Sequence, residues 1–331
     1  MTDWEQLDDS QYEELFQELK TSSWDKALSK VLLKHWGEYL AAYNTSPERY
    51  TFLKELLPDI SNAVALDLGC SFGNTSFALA KRCKKVVAAD TPPNIIRWLK
   101  AVKEKDSLAN LEPVKIDNLD FNKLPFEDGT FALVIFGMTL QWIGSFNASK
   151  SPDEIQKSVL KDIFRILKKG GIMVFFDKNR YTYNYFLDEP DGSAIKYATL
   201  LPRKLANPYA YIYRRLFLKQ DKFFQYIKDV SLSSSQYRNY KHTYPYLEKL
   251  FKNCGFEKTY SFIPLPGVKF QQLFIPLKDE KKAESLFAKW FKDKALPAVK
   301  GHLLAKLFFK LAIRFGFSRY LADGYLIMAA K

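Results

Sequence analysis

The chain has 331 residues, 47% of them hydrophobic, with 50 lysines and arginines against 37 acidic side chains and a net charge of +13. Such a length holds one large domain with insertions or two smaller ones. Cys70, Cys83 and Cys254 are odd in number and widely spaced, which excludes a disulfide framework and a cysteine-bound metal site, and no apolar run is long enough to span a bilayer.

A reducing compartment follows, so a cytoplasmic protein is expected, soluble or peripheral at a membrane. The opening twenty residues carry seven acidic side chains and one lysine, unlike a secretory signal. From Ser285 to Lys331 there are nine basic and two acidic residues. This asymmetry suits an anionic partner: nucleic acid, an acidic small molecule or a lipid headgroup surface. A solvated basic face with no partner is the plain alternative.

Residues 11 to 58 read as helices, with Leu32, Leu33, Trp36 and Leu40 at helical spacing and a stop at Pro58 and Asp59. Short strands then alternate with helices. Strands are expected at 63–68, 85–89, 111–116, 131–136 and 172–176, and helices at 74–81, 94–103 and 153–167. Apolar strands each followed by a helix argue for a parallel sheet covered on both faces. After Phe176 the alternation stops. Residues 178–240 are rich in Tyr, Arg and Lys and read as a mainly helical insertion. "HTYPYLEKLFKNCGF" restores a helix ending at Gly255, "EKTYSFIPL" reads as a strand, and a second helical insertion, 266–320, precedes a last strand in "DGYLIMAAK".

The stretch "VALDLGCSFGNTS", residues 64–76, ends a buried strand on Asp67 and turns through Gly69 and Gly73 into a helix. Glycines there let the backbone bend and approach a ligand. The helix start favours a carboxylate or phosphate, and Asp67 suits a ligand that also carries a cation. Asp90 ends the second strand in "VVAAD", where an acidic side chain can accept from ribose hydroxyls. "DFNKLPFEDGTFALVIFGMTLQWI" places Asp120 in the loop after the third strand, and "DIFRILKKGGIMVFF" supplies helix, turn and strand.

Together these segments, over roughly residues 60 to 177, resemble class I S-adenosylmethionine-dependent methyltransferases, especially their small-molecule group. A dehydrogenase-like Rossmann domain would want a third glycine in the helix. The resemblance implies S-adenosyl-L-methionine as cofactor. Asp67, Gly69, Cys70, Ser71 and Gly73 would hold its methionine portion. Asp90, with Thr91 beside it, would bind the ribose, and Asp120 and Phe121 the adenine. Phe136, Gly137 and Met138 would line the pocket near the sulfonium. The implied α/β fold is a Rossmann-like seven-stranded sheet, parallel with one antiparallel strand. A helical N-terminal cap would occupy 1–58 and the cofactor-binding core 59–177. Residues 178–240 would form a substrate cap, and 241–331 the end of the core with its insertion.

Three positions depart from the family pattern. Ser71 stands where glycine is usual, which costs little if the backbone there is ordinary. Ala132 replaces an Asp, and Gln141 replaces a His that could act as a base. Methyl transfer needs alignment above all, and a general base only when the acceptor carries a proton. The candidate catalytic side chains are His242, Tyr181 and Lys178. Candidate acceptor-binding residues are Gln141, Trp142, Asn179, Arg180 and Tyr183. Plain structural roles are open for each: His242 as a surface or capping histidine, Trp142 as packing, the tyrosines and cations as a folded insertion. His35 and His302 complete the histidines.

The partner expected is a small-molecule, glycan or lipid-linked acceptor, anionic in character. "LLAKLFFKLAIRFGF" sets Lys306, Lys310 and Arg314 four apart among Leu and Phe, so 303–317 can lie in a membrane interface or pack on the core with its lysines reaching solvent. "PLPGVKFQQLFIPL" is similar to segments of methyltransferases of cell-surface polysaccharide and glycolipid pathways. A nucleic-acid acceptor is a second reading, from "YIYRRLFLK" and the basic C-terminal region, though no Asn/Asp-Pro-Pro-Tyr motif follows the fourth strand. A cofactor-binding scaffold without turnover is a third.

Overall fold

In a computed structural model the described residues are 7–57, 59–119, 122–144, 149–187, 189, 191, 195–216, 237, 239–295 and 303–331. The sheet grows from β1 (Val64–Leu68), whose aliphatic side chains alternate between two covered faces. Ala65 points to one side, Leu66 and Leu68 to the other; in β4 (Phe131–Gly137), Leu133 and Ile135 oppose Val134 and Phe136. Period-two alternation with apolar residues on both sides is what a sheet covered by helices on both faces requires.

Around β1 and β4 lie β2 (Lys85–Asp90), β3 (Leu111–Lys115), β5 (Leu167–Lys178), β6 (Lys258–Gly267), β7 (Phe270–Pro276) and β8 (Gly324–Ala330), in the order β3-β2-β1-β4-β5-β8-β6-β7. The first five pair in parallel. β8 inserts antiparallel between β5 and β6, as expected, and β7 adds an eighth strand antiparallel to β6. That strand falls inside the stretch expected to be helical. Pro264 and Pro266 and the paired glutamines of "FQQLFIP" obscure its pattern. β6 pairs with β8 only as far as Phe262, so its prolines sit where one edge has no β8 partner and a missing N–H costs nothing on that side.

One face of the sheet is covered by α1 (Asp9–Thr21), α2 (Trp24–Trp36), α4 (Thr51–Leu56), α5 (Asn74–Ala80) and α6 (Pro93–Lys105). α3 (Glu38–Thr45) runs between α2 and a short turn over Pro47–Tyr50. The other face packs on α7 (Pro152–Ile166), α9 (Tyr244–Asn253), α10 (Glu280–Trp290) and α11 (Leu303–Arg314). α7 starts with Ser151 and Glu154 in a reciprocal capping box and Pro152 in its first turn, a strong local start signal. α8 (Arg203–Leu216) lies in the region after β5 and helps form a smaller cluster with Ile195, Ala198 and Tyr237. The hairpin β6–β7 meets the N-terminal helices: Lys269 Nζ donates to Tyr39 Oη at 2.8 Å, and Gln272 Nε2 to Glu48 Oε1 at 2.8 Å.

Candidate functional site

The turn after β1 is held in a left-handed conformation at three of its five residues. Gly69 has φ +76° and Gly73 +85°, and Ser71 has φ +48°. The ordinary backbone expected at Ser71 is not what forms. The turn pulls it into the region a glycine would take freely, at a cost of about 1–2 kcal/mol for a side chain bearing Cβ. A Cβ on Gly69 would stand 2.5 Å from Thr139 Oγ1, so the loop passes against the end of β4 with no room for a side chain.

Asp67 points into this turn. It is 4% exposed, and its carboxylate accepts from Ser76 Oγ at 2.6 Å. Burial raises its pKa to about 6, against the lowering effects of Ser76 and of the Arg49 charge. Arg49 comes from the N-terminal cap, stacks over Tyr43 at 4.3 Å, and leaves its buried Nε without a partner. A buried acid beside an under-used guanidinium is a matched pair of partners for an amino acid's ammonium and carboxylate. The same cap touches the next helix: Asn74 Nδ2 donates to Asn44 O at 2.9 Å.

Asp90, at the end of β2, is fully buried. One carboxylate oxygen accepts from Ser71 N at 2.8 Å and the other from Thr91 N at 2.6 Å. It thus ties the glycine turn to β2, and contact with a ribose would require residues 69–73 to shift. Cys70 is buried, its thiol pKa raised by desolvation and the nearby Asp90 and Asp67. Asp120 and Phe121 lie outside the described residues.

At the end of β4, Met138 has φ +58° and donates its N–H to Phe176 O at 2.7 Å. Gly137 is covered by the Phe176 ring, with 2.1 Å from a built Cβ to Cζ. Phe136 does not line the pocket expected for it. It faces the other side of the sheet and packs on Phe175, as strand alternation dictates.

Beyond β4 and β5 the chain builds a buried polar cage that the sequence reading did not isolate. Gln141 follows β4, with Nε2 donating to Met138 O at 3.2 Å and Oε1 buried without a partner. Its backbone N–H meets Asp177 Oδ2 at 3.3 Å. Lys241 is buried, donates to Asn239 Oδ1 at 2.7 Å, and stands 5.3 Å from the centre of the Tyr185 ring. Burial raises the Asp177 carboxyl and lowers the Lys241 ammonium, and each charge works against the other's shift. Tyr185 Oη and Asn239 Nδ2 are also buried and unpartnered. Arg180, Thr199, Arg203, Tyr237, Asn239 and Lys241 line a small cavity here. Asp177, directly after "VFF", was within reach of sequence reading as a carboxylate at a strand end. Tyr185 belongs to the alternating tyrosines of "DKNRYTYNY", which could line a sugar or aromatic site, whereas Lys241 and Asn239 carry no local signal, since only tertiary packing brings them beside it.

The other candidates are mostly engaged. Lys178 is buried and paired with Glu189 at 2.7 Å and Asp323 at 3.6 Å. Burial pulls its pKa down, but those acids and Tyr185 raise it well above the usual value, so it stays charged and cannot accept a proton. His242 is no surface histidine: its Nε2 meets Gln156 Oε1 at 2.5 Å and its ring stacks on Tyr246 at 4.5 Å. Burial, then Arg203, pushes its pKa down to about 3, which makes it a weak base locked in place. Tyr181 is 37% exposed, beside the Arg180 guanidinium. Asn179 donates to Tyr320 O at 2.6 Å and Ala322 O at 3.2 Å, while Arg180 donates to Thr199 O at 3.2 Å and Leu201 O at 2.8 Å. Both pin the chain after β5. Tyr183 packs against Phe291 and Phe309, away from the cage, and Trp142 is buried. His35 pairs with Glu14 in the cap; His302 lies outside the described residues.

Residues 66–175 match the family model described as a methyltransferase domain. Over 201 residues, 60% of this chain and 67% of the relative, the chain is 28% identical to demethylmenaquinone methyltransferase of Lactococcus lactis subsp. lactis strain IL1403. Over 209 residues, 60% of this chain and 73% of the relative, it is 24% identical to that of Lactiplantibacillus plantarum. The chain is an S-adenosylmethionine-dependent methyltransferase, with its methyltransferase domain at residues 66–175. The buried acid of β1 and the side-chain-free approach at Gly69 suit the methionine end of that cofactor, whereas the acid closing β2 would reach its ribose only with a shift of residues 69–73. No helix of the described residues in this methyltransferase is long and apolar enough to cross a membrane.

Proposed function

We propose that this methyltransferase acts on a small, lipid-linked acceptor, a quinone being the foremost class, bound at the cage beyond β4 and β5. The observation that carries this is a set of buried polar atoms, Gln141 Oε1, Tyr185 Oη and Asn239 Nδ2, that have no hydrogen-bond partner among the described residues and stand around Asp177 and Lys241. Buried polar groups without partners are costly unless a ligand completes them. Relatives named for demethylmenaquinone support the choice of class.

Bound S-adenosylmethionine supplies an electrophilic methyl on its sulfonium. Asp67, Arg49 and the turn 69–73 would hold its amino-acid end, and Asp90 its ribose once that turn shifts. In-line displacement at that methyl needs the acceptor atom aligned with it, and holding the acceptor in that line would be the main contribution of the cage. Any proton the acceptor releases passes to the Asp177–Lys241 pair, whose shifted groups stand among Lys178, Glu189 and Asp191. The test is incubation with methyl-labelled cofactor and either demethylmenaquinone reduced beforehand to its quinol, whose electron-rich ring can act as the nucleophile, or lysate separated into aqueous, lipid, RNA and protein fractions. Label in the quinone or lipid fraction, reduced by roughly 100-fold or more in Asp177→Asn or Lys241→Met, is the expected result. Label in the RNA fraction overturns the reading.

A further inference from the structure

α11 carries two apolar faces, and only one is used. Phe309 and Ala312 are fully buried, with Phe309 5.1 Å from Phe291 and Phe308 5.3 Å from Phe186. On the other side Leu304 is 83% exposed, Leu307 55%, Leu311 37% and Phe315 69%. Spaced three or four apart, the leucines form a continuous stripe along the helix, extended by Phe315 in the turn just past its end. Lys306, Lys310 and Arg314 are exposed beside it, and the helix holds no acidic residue. Among the described residues, no carboxylate pairs with any of these three cations.

We propose that α11 is a docking face for an anionic lipid bilayer, lying in the interface plane with Leu304, Leu307, Leu311 and Phe315 submerged and Lys306, Lys310 and Arg314 at the headgroups. An apolar stripe beside a row of uncompensated cations is the pattern that binds such surfaces. Charge decides against a second copy as the occupant. A two-fold interface sets the same patch against itself, which would press three cations on three cations. The helix is also tied to the acceptor end of the molecule. Its inner face packs on Tyr183 and Phe186, in the same short turn as Tyr185 of the cage. Docking would therefore hold that end of the protein near the lipid phase. The proposal stands on the helix surface and is independent of which acceptor is methylated.

The test is co-sedimentation of the full chain with phosphatidylcholine vesicles, with and without phosphatidylglycerol, at low and high salt. The expected result is binding that needs the anionic lipid and weakens with salt. Lys306→Glu, Lys310→Glu or Arg314→Glu should each lower partitioning roughly fivefold. Leu307→Asp with Leu311→Asp should lower it by more than about tenfold. All these positions are exposed, and unchanged far-ultraviolet circular dichroism and S-adenosylhomocysteine binding report an intact fold. Absence of binding to phosphatidylglycerol vesicles at low salt overturns the proposal, as does binding indifferent to both sets of variants. So does a dimer in light scattering that the leucine variants dissociate while the wild type ignores vesicles. None of these outcomes bears on the methylation assay, so the two readings fail separately.

Discussion

Ser71 sits at φ +48° while its backbone N–H serves Asp90. The position wants a left-handed backbone, and serine tolerates it at a cost glycine avoids. Ser71→Gly keeps the N–H and should raise stability by about 0.5–1 kcal/mol, the relief being partly offset by the freer unfolded chain; urea unfolding measures it, and a loss of stability would show that the hydroxyl outweighs the strain. Asp67 sets a pH dependence. Burial lifts its pKa from 3.8 to about 6 in the fold, so between those values the unfolded chain releases the proton first. Its contribution therefore favours the fold at low pH and is lost as pH rises through about 6. Affinity for a ligand that presents a cation should move the opposite way, climbing through about 6 as the carboxylate forms. Calorimetric titration with S-adenosylhomocysteine checks this: Asp67→Asn should flatten the climb, and an unchanged profile would remove Asp67 from the ammonium site.

At the scale of elements, close approach at strand ends positions the site. β4 and β5 run side by side from Leu133↔Ile172 to Gly137↔Phe176, and Phe176 lies across Gly137 because no side chain stands there. Gly137→Ala would force a methyl to 2.1 Å from that ring, displacing Phe176 and its neighbour Phe52, 5.4 Å away. A loss of about 1–3 kcal/mol in thermal or urea unfolding is expected for such overpacking, together with weaker cofactor binding, since Met138 donates to Phe176 O. An alanine variant as stable as the parent would show that the ring moves freely. The loop before β4 is clamped in a similar way. Arg165 donates from Nε to Asp162 at 2.6 Å and from Nη1 to Phe126 O at 2.7 Å, while Leu124 N donates to Asp162 Oδ2 at 2.5 Å. The "DIFRIL" helix thereby fixes the segment that leads into the core.

Over the whole molecule, two apolar cores share one sheet, and the N-terminal helices are built into the second rather than appended to it. Tyr12, Leu28 and Phe52 pack in the same cluster as Ala65, Val86 and Phe176. The basic stretch near the C-terminal end of the chain is neither a uniform solvated face nor a buried helix: α11 has one face of each kind. Periodicity and the chain order of Gly and capping residues were enough for β1 to β5 and their helices, because those signals come from neighbours a few residues apart; the antiparallel β8 followed from the family resemblance. β7, the left-handed Ser71, the Arg49 charge acting on Asp67, and the cage of Asp177, Lys241, Tyr185 and Asn239 were settled by tertiary packing. Each depends on which distant segments meet, and burial, which shifts charges and orphans polar atoms, exists only once they do.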